Sequence, residues 1–294
     1  MSTHATGAAG FGPNPWQQAS WDWRAAGNFI GGGAGAGLIV ASALFAAPDA
    51  ATAWTTRWLL FVGLALVGLG LLCVWLEIGR PLRALHVFFN PRTSWMSREA
   101  FVALFLFPAG LLALLRLDAW LWATTLLALS FLYCQSRMLP AARGIPAWRP
   151  NLLTPLMFAT GLCEGCGIFV LLGPLHGKVT GTVMAVFVLL LLARIVIWMF
   201  YRSTVNGSLA PRARTALDQA GRWLLVLGTL APAILLGASM SLQSGSLQAV
   251  LAAVAGAAAA FAGAYIKYTL VTRASFNQGF ALTKLPVRGV KTSH

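Results

Sequence analysis

The chain has 294 residues, of which 58% are hydrophobic and only 10% are charged. This composition excludes a water-soluble globular domain, because such domains carry about 25% charged residues. A membrane-spanning helix needs about 20 mostly apolar residues, so the length allows about eight spans joined by short connections. The net charge of +14 does not indicate nucleic-acid binding, because basic residues in the loops of a membrane protein set its orientation.

Charge-free runs predict an all-α integral membrane protein with eight transmembrane helices, because a charge in mid-bilayer costs a few kcal/mol. The predicted spans are residues 25–47, 56–79, 98–116, 119–138, 151–173, 178–201, 219–240 and 247–271. The whole chain, 1–294, is predicted to form one transmembrane domain, with a polar N-terminal segment at 1–24 and a tail at 272–294. Any catalytic domain is therefore expected on another chain.

Lys and Arg are unevenly distributed between the two ends of the predicted bundle. With alternating spans, 16 lie at the end that holds both termini and three at the opposite end, while Arg194 and Lys267 lie inside spans. The positive-inside rule therefore predicts that both termini are cytoplasmic, in a multi-pass protein of the bacterial inner membrane. This basic end is also expected to contact anionic lipids.

The sequence does not predict a metal or haem site. None of the four histidines lies inside a predicted span, so a haem held between helices by histidines is not expected. Cys163 and Cys166 form a single C-x-x-C, which supplies at most two of the four ligands that a zinc or iron–sulfur site needs. These cysteines are predicted to be packing residues.

Glu164 lies near the middle of the fifth predicted span, where an ionised carboxylate has to be paired, hydrated or protonated. Arg194, in the sixth span, is its predicted ion-pair partner. Two interpretations stay open for this pair. The first is a structural role, either as a buried ion pair or with Glu164 as a neutral carboxyl hydrogen-bonded across helices. The second is a proton path or quinone contact.

The densest group of polar residues flanks the connection between the second and third predicted spans. Arginines that extend to the interface and a helix cap at Ser97 account for part of this group. A pocket here would give a quinone head group hydrogen bonds and a carboxylate for proton exchange. The predicted quinone-binding or proton-relay residues in this group are Glu77, Arg80, His86, Trp95, Ser97, Arg98 and Glu99.

The first predicted span contains a glycine-rich run from Gly31 to Gly37 with two overlapping G-x-x-x-G spacings. This spacing is typical of close packing between membrane helices. A phosphate-binding loop is disfavoured, because no strand precedes the run.

Together these features resemble the eight-span anchor subunits of molybdenum–iron–sulfur oxidoreductases, including those of DMSO reductase and polysulfide reductase. The matching segments are WDWRAAGNF at 21–29, E-x-G-x-P-x-R at 77–83, S-W-x-S-R-E at 94–99, and NQGFAL with LPVRG at 277–289. Asn28, in the first segment, therefore joins the predicted quinone-binding residues. Glu99 matches the carboxylate of the family's Ser-Arg-Glu motif, whereas DMSO reductase anchors commonly have His at the position of Glu77.

The resemblance implies a haem-free anchor that binds ubiquinone or menaquinone. Electrons would pass between this quinone and an iron–sulfur subunit, ferredoxin-like with four clusters, which contacts a molybdopterin catalytic subunit. Both metal cofactors would then belong to the partner subunits, and this chain would be the non-catalytic, quinone-reactive subunit. The arginines predicted to dock the partners are Arg83, Arg92, Arg143, Arg149 and Arg288.

The predicted orientation places the partner subunits in the cytoplasm. On that basis the chain looks most similar to anchors of phenylacetyl-CoA:acceptor oxidoreductase or of cytoplasm-facing sulfite dehydrogenase. Two alternatives stay open. A proton-coupled secondary transporter would also use an intramembrane carboxylate, but it predicts inverted repeats, which are not visible. The other alternative is a structural anchor without quinone chemistry.

Overall fold

A computed structural model describes residues 14–46, 53–78, 81–115, 117–242 and 245–279. This part of the chain is helical and contains no β-strand, which confirms the predicted all-α class. Its α-helices are α1 Trp23–Phe45, α2 Ala53–Glu77, α3 Trp95–Leu115, α4 Leu117–Ala141, α5 Leu153–Leu171, α6 Gly173–His176, α7 Gly181–Val205, α8 Pro211–Leu225, α9 Ala231–Ser241 and α10 Ser246–Tyr268. Two 3-10 helices, Pro81–Phe89 and Pro146–Trp148, and two π-helical segments, Val226–Leu230 and Thr269–Arg273, complete the element order.

Within these ranges, seven stretches are long and apolar enough to cross a membrane. They are Trp23–Phe45, Trp54–Glu77, Trp95–Leu115, Leu153–Leu171, Gly181–Val205, Pro211–Ser241 and Ser246–Arg273, and each corresponds to a predicted span. The chain is therefore a multi-pass membrane protein. The remaining predicted span coincides with α4, which has 25 residues. Four polar residues of α4 are buried, and they lower its hydropathy: Thr124, Thr125, Gln135 and Ser136.

The stretch Pro211–Ser241 begins eight residues before the predicted start at residue 219. Pro211 stands at the first helical position, where a missing N–H breaks no helical hydrogen bond. The helix then continues through Arg212 and Asp218, which are exposed. A helix can begin before its apolar part begins, and this explains the difference between the observed and the predicted start.

Glycines allow α1 to pack closely against two neighbouring helices. A Cβ at Gly35 would overlap the carbonyl oxygen of Gly63 in α2. A Cβ at Gly37 would overlap the carbonyl oxygen of Gly161 in α5. The glycine-rich run therefore places the backbone of α1 directly against α2 and α5, as its G-x-x-x-G spacing predicts.

Asp22 caps the first turn of α1. Its carboxylate accepts the main-chain N–H of Arg24 over 2.8 Å and pairs with the Arg24 guanidinium over 2.9 Å. Both interactions favour the charged carboxylate, so the pKa of Asp22 lies below its ordinary value. This cap fixes the position of the polar segment relative to the start of α1.

Candidate functional site

Glu99 is a buried carboxylate on α3, and only 3% of the residue is exposed. Asn28 on α1 donates from Nδ2 to Glu99 Oε1 over 3.3 Å, and Gln135 on α4 donates from Nε2 to the same oxygen over 3.1 Å. Gln135 Nε2 also donates to the main-chain oxygen of Asn28 over 3.0 Å. Three helices therefore fix the position of one carboxyl oxygen.

Two glycines make room for this arrangement. A Cβ at Gly32 on α1 would overlap Gln135 Nε2, and a Cβ at Gly70 on α2 would lie 3.3 Å from Asn28 Oδ1. Among the described residues, Asn28 Oδ1 is buried without a hydrogen-bond partner. A buried acceptor of this kind is costly unless another group donates to it. Asn28 Oδ1 is therefore an unused acceptor inside this cluster.

An apolar groove of about 400 Å³ opens along the same stretch of α3. Its lining residues come from α2, α3 and the 3-10 helix Pro81–Phe89, and they are Leu71, Phe88, Ala100, Ala103, Leu104, Phe107 and Pro108. Ala103 lies one helical turn beyond Glu99, so the groove runs past the buried carboxylate. Its volume is in the range of small-molecule sites.

Trp95 begins α3, and two guanidinium groups lie over its ring. The Arg98 guanidinium lies 4.1 Å from the Trp95 ring centroid and the Arg137 guanidinium lies 4.9 Å from it. Arg98 also donates to the carbonyl oxygens of Pro91 and Arg92, over 2.8 and 2.7 Å. The geometry therefore ties Arg98 to the turn before α3.

No hydrogen bond or ion pair joins the other described members of the predicted quinone-binding set to the Glu99 carboxyl. Glu77, the last residue of α2, is half-buried and within electrostatic reach of Arg24. His86 is exposed on the 3-10 helix Pro81–Phe89. Ser97 is buried, but it does not cap α3, because the cap is Ser94, whose Oγ accepts the main-chain N–H of Ser97 over 3.3 Å. Of the predicted set, the structure brings together Asn28 and Glu99.

Glu164 forms an ion pair with Lys267 on α10. The distance from Lys267 Nζ to Glu164 Oε2 is 2.5 Å, and both side chains are 1% exposed. Lys267 Nζ also donates to the main-chain oxygen of Phe29 on α1 over 2.8 Å. This finding corrects the predicted pairing of Glu164 with Arg194.

Arg194 is fully buried on α7 and donates to main-chain carbonyls instead. Its Nη2 lies 2.5 Å from the oxygen of Gly228, and its Nη1 lies 3.2 Å from the oxygen of Ala259 on α10. Gly228 belongs to the π-helical segment Val226–Leu230, and Pro232, four residues later, has no N–H to donate to its carbonyl. Arg194 therefore satisfies a carbonyl that a proline leaves free.

The Glu99 cluster and the Lys267–Glu164 pair meet at Gly33 of α1. A Cβ at Gly33 would overlap Lys267 Nζ, and it would lie 3.4 Å from Gln135 Oε1 and 3.5 Å from Glu164 Oε2. We call the group of Asn28, Glu99, Gln135, Glu164 and Lys267 the polar layer. Its members surround the glycine-rich face of α1.

Sequence reasoning missed two members of the polar layer, Gln135 and Lys267. Each carried a signal, because a glutamine or lysine inside a predicted span has to find a polar partner there. Their partners depend on which helices are neighbours, and charge-free runs do not contain that information.

The predicted docking arginines lie in several places. Arg92, Arg143 and Arg149 are exposed near the start of α3 and the end of α4. The side chain of Arg83 is not described. Arg80 and Arg288 lie outside the described residues.

Cys163 and Cys166 are buried in an apolar cluster of α1, α5 and α7, consistent with their predicted role in packing. In the described ranges, no group of three or more His, Cys, Asp or Glu side chains is placed to hold a metal ion.

A family model described as DMSO reductase anchor subunit (DmsC) matches residues 28–270. The matched range begins at Asn28 and includes the whole polar layer. No curated protein matches the chain.

Proposed function

The chain belongs to the DMSO reductase anchor subunit family, and from this we propose that it is the quinone-reactive subunit of a three-part molybdenum–iron–sulfur oxidoreductase. In this proposal it passes electrons between an iron–sulfur subunit and quinone in the membrane, and it holds no haem. The molybdopterin and the iron–sulfur clusters belong to the two partner subunits. The family supports the role of membrane anchor, and the residues of the polar layer support the quinone chemistry.

The observation that carries this proposal is the position of Glu99. The carboxyl is buried beside an apolar groove and is oriented by Asn28 and Gln135. Quinone chemistry couples the transfer of two electrons to the gain or loss of two protons. A carboxyl at the head-group position exchanges one such proton while its amide partners keep it in place.

The groove and the polar layer fit the two parts of a quinone. An isoprenoid tail needs an apolar surface open to lipid, and the groove beside Leu71, Phe88 and Leu104 provides one. A head group needs hydrogen-bond partners, and in this proposal Asn28 and Glu99, which are not themselves among the residues that line the groove, supply them. The unpartnered Oδ1 of Asn28 accepts a hydrogen bond from a hydroxyl group without displacing another donor.

We also infer that α4 is an eighth crossing. The segment before α1 and the segment after α10 hydrogen-bond to each other, with Gln18 N donating to Ser275 O over 2.9 Å and Asn277 N to Trp16 O over 3.1 Å. Both segments therefore lie at the same end of the bundle, which requires an even number of crossings. Seven apolar stretches together with α4 satisfy this requirement.

The basic end of the bundle is the proposed docking side for the iron–sulfur subunit. It carries Arg92 between the second and third spans, and 16 of the 21 Lys and Arg belong to this end. The positive-inside rule supports a cytoplasmic orientation for it. For Glu164 we propose the structural role, since Lys267 neutralises it directly.

Substitution of Glu99 tests the quinone proposal. Glu99→Gln keeps the shape of the side chain and removes its ability to exchange a proton. In the assembled complex we expect quinone-linked turnover to fall by about 100-fold or more, while the catalytic subunit still reduces or oxidises a soluble redox dye. The control is Asp218→Asn, which neutralises an exposed carboxylate that pairs with Arg202 on α7.

Retention of the iron–sulfur subunit on the membrane in both variants would show that assembly is intact. Turnover of Glu99→Gln equal to that of Asp218→Asn would contradict a role for Glu99 and leave the chain as a structural anchor.

A further inference from the structure

A second cavity, of about 720 Å³, lies at the end of the bundle where α3 begins, α4 ends and α5 begins. Three arginines and three other polar or aromatic residues contribute to its wall, and they are Arg137, Arg143, Arg149, Trp95, Asn151 and Thr154. Neither Glu99 nor any other carboxylate of the described residues lines it. The cavity is therefore separate from the proposed quinone site and has the opposite electrostatic character.

Within the part of the chain that the structure describes, no acidic side chain pairs with the arginines of this cavity. In the described ranges the ion pairs are Arg24–Asp22, Arg202–Asp218 and Lys267–Glu164, and none involves the three cavity arginines. Arg137 lies over the ring of Trp95, and its Nε is buried without a hydrogen-bond partner among these residues. A buried donor on a cation is costly unless an acceptor comes from outside the chain.

Arg149 is held in place at the rim. Its Nε donates to the main-chain oxygen of Arg143 over 2.6 Å, and one Nη donates to Gln278 Oε1 over 2.6 Å. A guanidinium has five N–H donors, so these bonds leave others for a ligand. The side chain of Arg149 is thus preorganised while its charge is still available.

The start of α5 adds one main-chain donor at the same place. Leu153 N donates to the main-chain oxygen of Pro150 over 3.0 Å and Pro155 has no N–H, so the first turn offers the N–H of Thr154, for which the N-cap residue Leu152 provides no side-chain acceptor. Helix N-termini and forked guanidinium groups both favour phosphate oxygens. Thr154 supplies a hydroxyl donor beside them.

We propose that this cavity binds the phosphate of an anionic membrane phospholipid. Three membrane helices begin or end around it, which is the depth at which lipid phosphates lie. Trp95 is a residue typical of that interface. Tyr133, one helical turn before Arg137 on α4, is 46% exposed and packs edge-on against Trp95, and it offers a surface along which an acyl chain can lie.

This site gives Arg143 and Arg149 a more specific role than general docking of a partner subunit. A lipid bound there lies at the boundary between the bundle and the iron–sulfur subunit that is proposed to dock on its basic end. The proposal rests on the membrane location of the chain and does not depend on quinone chemistry at Glu99.

Native mass spectrometry of the full-length, delipidated chain tests the proposal. The probes are phosphatidylglycerol, phosphatidylcholine and inorganic phosphate, each titrated separately. We expect the first phosphatidylglycerol to bind more tightly than phosphatidylcholine. The double variant Arg143→Gln/Arg149→Gln should lower that affinity about 30-fold, and Arg143→Gln alone about fivefold. Arg212→Gln, at an exposed position on α8, is the matched control and should not change it.

Three results would overturn the proposal. The first is equal binding of phosphatidylglycerol by the wild type and the double variant. The second is binding of inorganic phosphate that depends on these arginines while lipid binding does not, which would identify a soluble anion as the ligand. The third is loss of the iron–sulfur subunit from the double variant with unchanged lipid binding, which would identify an acidic protein surface. Reduced turnover of Glu99→Gln is a separate result and bears on the quinone site alone.

Discussion

Lys267 on α10 and Glu164 on α5 neutralise each other beside Gly33 of α1, so one buried ion pair joins three helices. The pair is shielded from water, and its lysine also donates to the main-chain oxygen of Phe29. Removing two charges from water is costly, so the pair need not stabilise the fold more than apolar residues would. Removing one partner has a different effect, because the other charge stays buried.

Lys267→Met is therefore expected to destabilise the bundle strongly. A buried carboxylate left without its cation costs about 3–5 kcal/mol, and Glu164→Gln should cost a similar amount by leaving the lysine unpaired. The double variant Lys267→Met/Glu164→Gln should be more stable than either single variant. Unfolding of the purified chain in mixed micelles with increasing SDS measures all three.

Lys178→Met, at a cation outside the spanning stretches, is the control and should change stability by less than about 0.5 kcal/mol. Purely additive losses in the double variant would show that the two side chains do not interact.

The partner of Glu164 illustrates what the sequence could and could not predict. The spans follow from local composition, and so does the need of Glu164 for a cation. The choice between Arg194 and Lys267 depends on packing, because a Cβ at Gly256 on α10 would overlap the carbonyl oxygen of Gly167 on α5. This close contact brings α10, and with it Lys267, against α5. Counting charges along the sequence does not reveal this contact between α5 and α10.

The site around Glu99 was predictable in part for the same reason. Its carboxylate lies in a recognisable motif, and Asn28 lies in another, so both were identified. Glu77 and His86 are close to Glu99 along the sequence, but α2 ends and a 3-10 helix intervenes before α3 starts, and neither side chain forms a hydrogen bond or ion pair with the carboxyl. Gln135 comes from a helix that the motifs do not cover.

The contact between α1 and α5 predicts the effect of a single methyl group. A Cβ at Gly165 would overlap the backbone of Gly37 and Leu38. Gly165→Ala is therefore expected to destabilise the bundle by about 1–3 kcal/mol, because the helices have to separate. Gly237, in α9, has no atom within 4 Å of an added Cβ.

Gly237→Ala is the matched control, and it should be neutral or stabilising by up to about 1 kcal/mol through the higher helix propensity of alanine. Thermal unfolding in detergent measures both variants. Equal melting temperatures would show that α1 and α5 are not in backbone contact.

Cysteine labelling tests whether α4 crosses the membrane. Thr93 precedes α3 and Gly144 follows α4, and both are exposed. If both helices cross, Thr93→Cys and Gly144→Cys lie on the same side, and Lys178→Cys, between α6 and α7, lies on the opposite side. We expect a membrane-impermeant maleimide to label Lys178→Cys in intact cells and the other two only after lysis.

The parent chain with its four native cysteines controls for background labelling. Labelling of Thr93→Cys and Gly144→Cys from opposite sides would mean that α4 does not span the bilayer.

We expect His176 to make the stability of the protein depend on pH, and it lies at the end of the bundle opposite the basic end. It lies between two spanning stretches and is 8% exposed. Its Nε2 bonds to the carbonyl oxygen of Phe169 over 2.8 Å, and its Nδ1 accepts the main-chain N–H of Lys178 over 3.0 Å. Burial is the main cause that lowers the pKa of His176, and Lys178 lowers it further.

The direction of the pH effect follows from this lowered pKa. The unfolded chain takes up a proton near the ordinary histidine pKa of about 6.5, before the folded chain does, so stability falls as the pH drops below that value. A proton on Nδ1 would also face the N–H of Lys178 and break that hydrogen bond. We expect the melting temperature to be lower at pH 5 than at pH 7.5, and His176→Gln, which cannot titrate, to reduce that difference. An equal difference in the two proteins would assign the pH dependence to other groups.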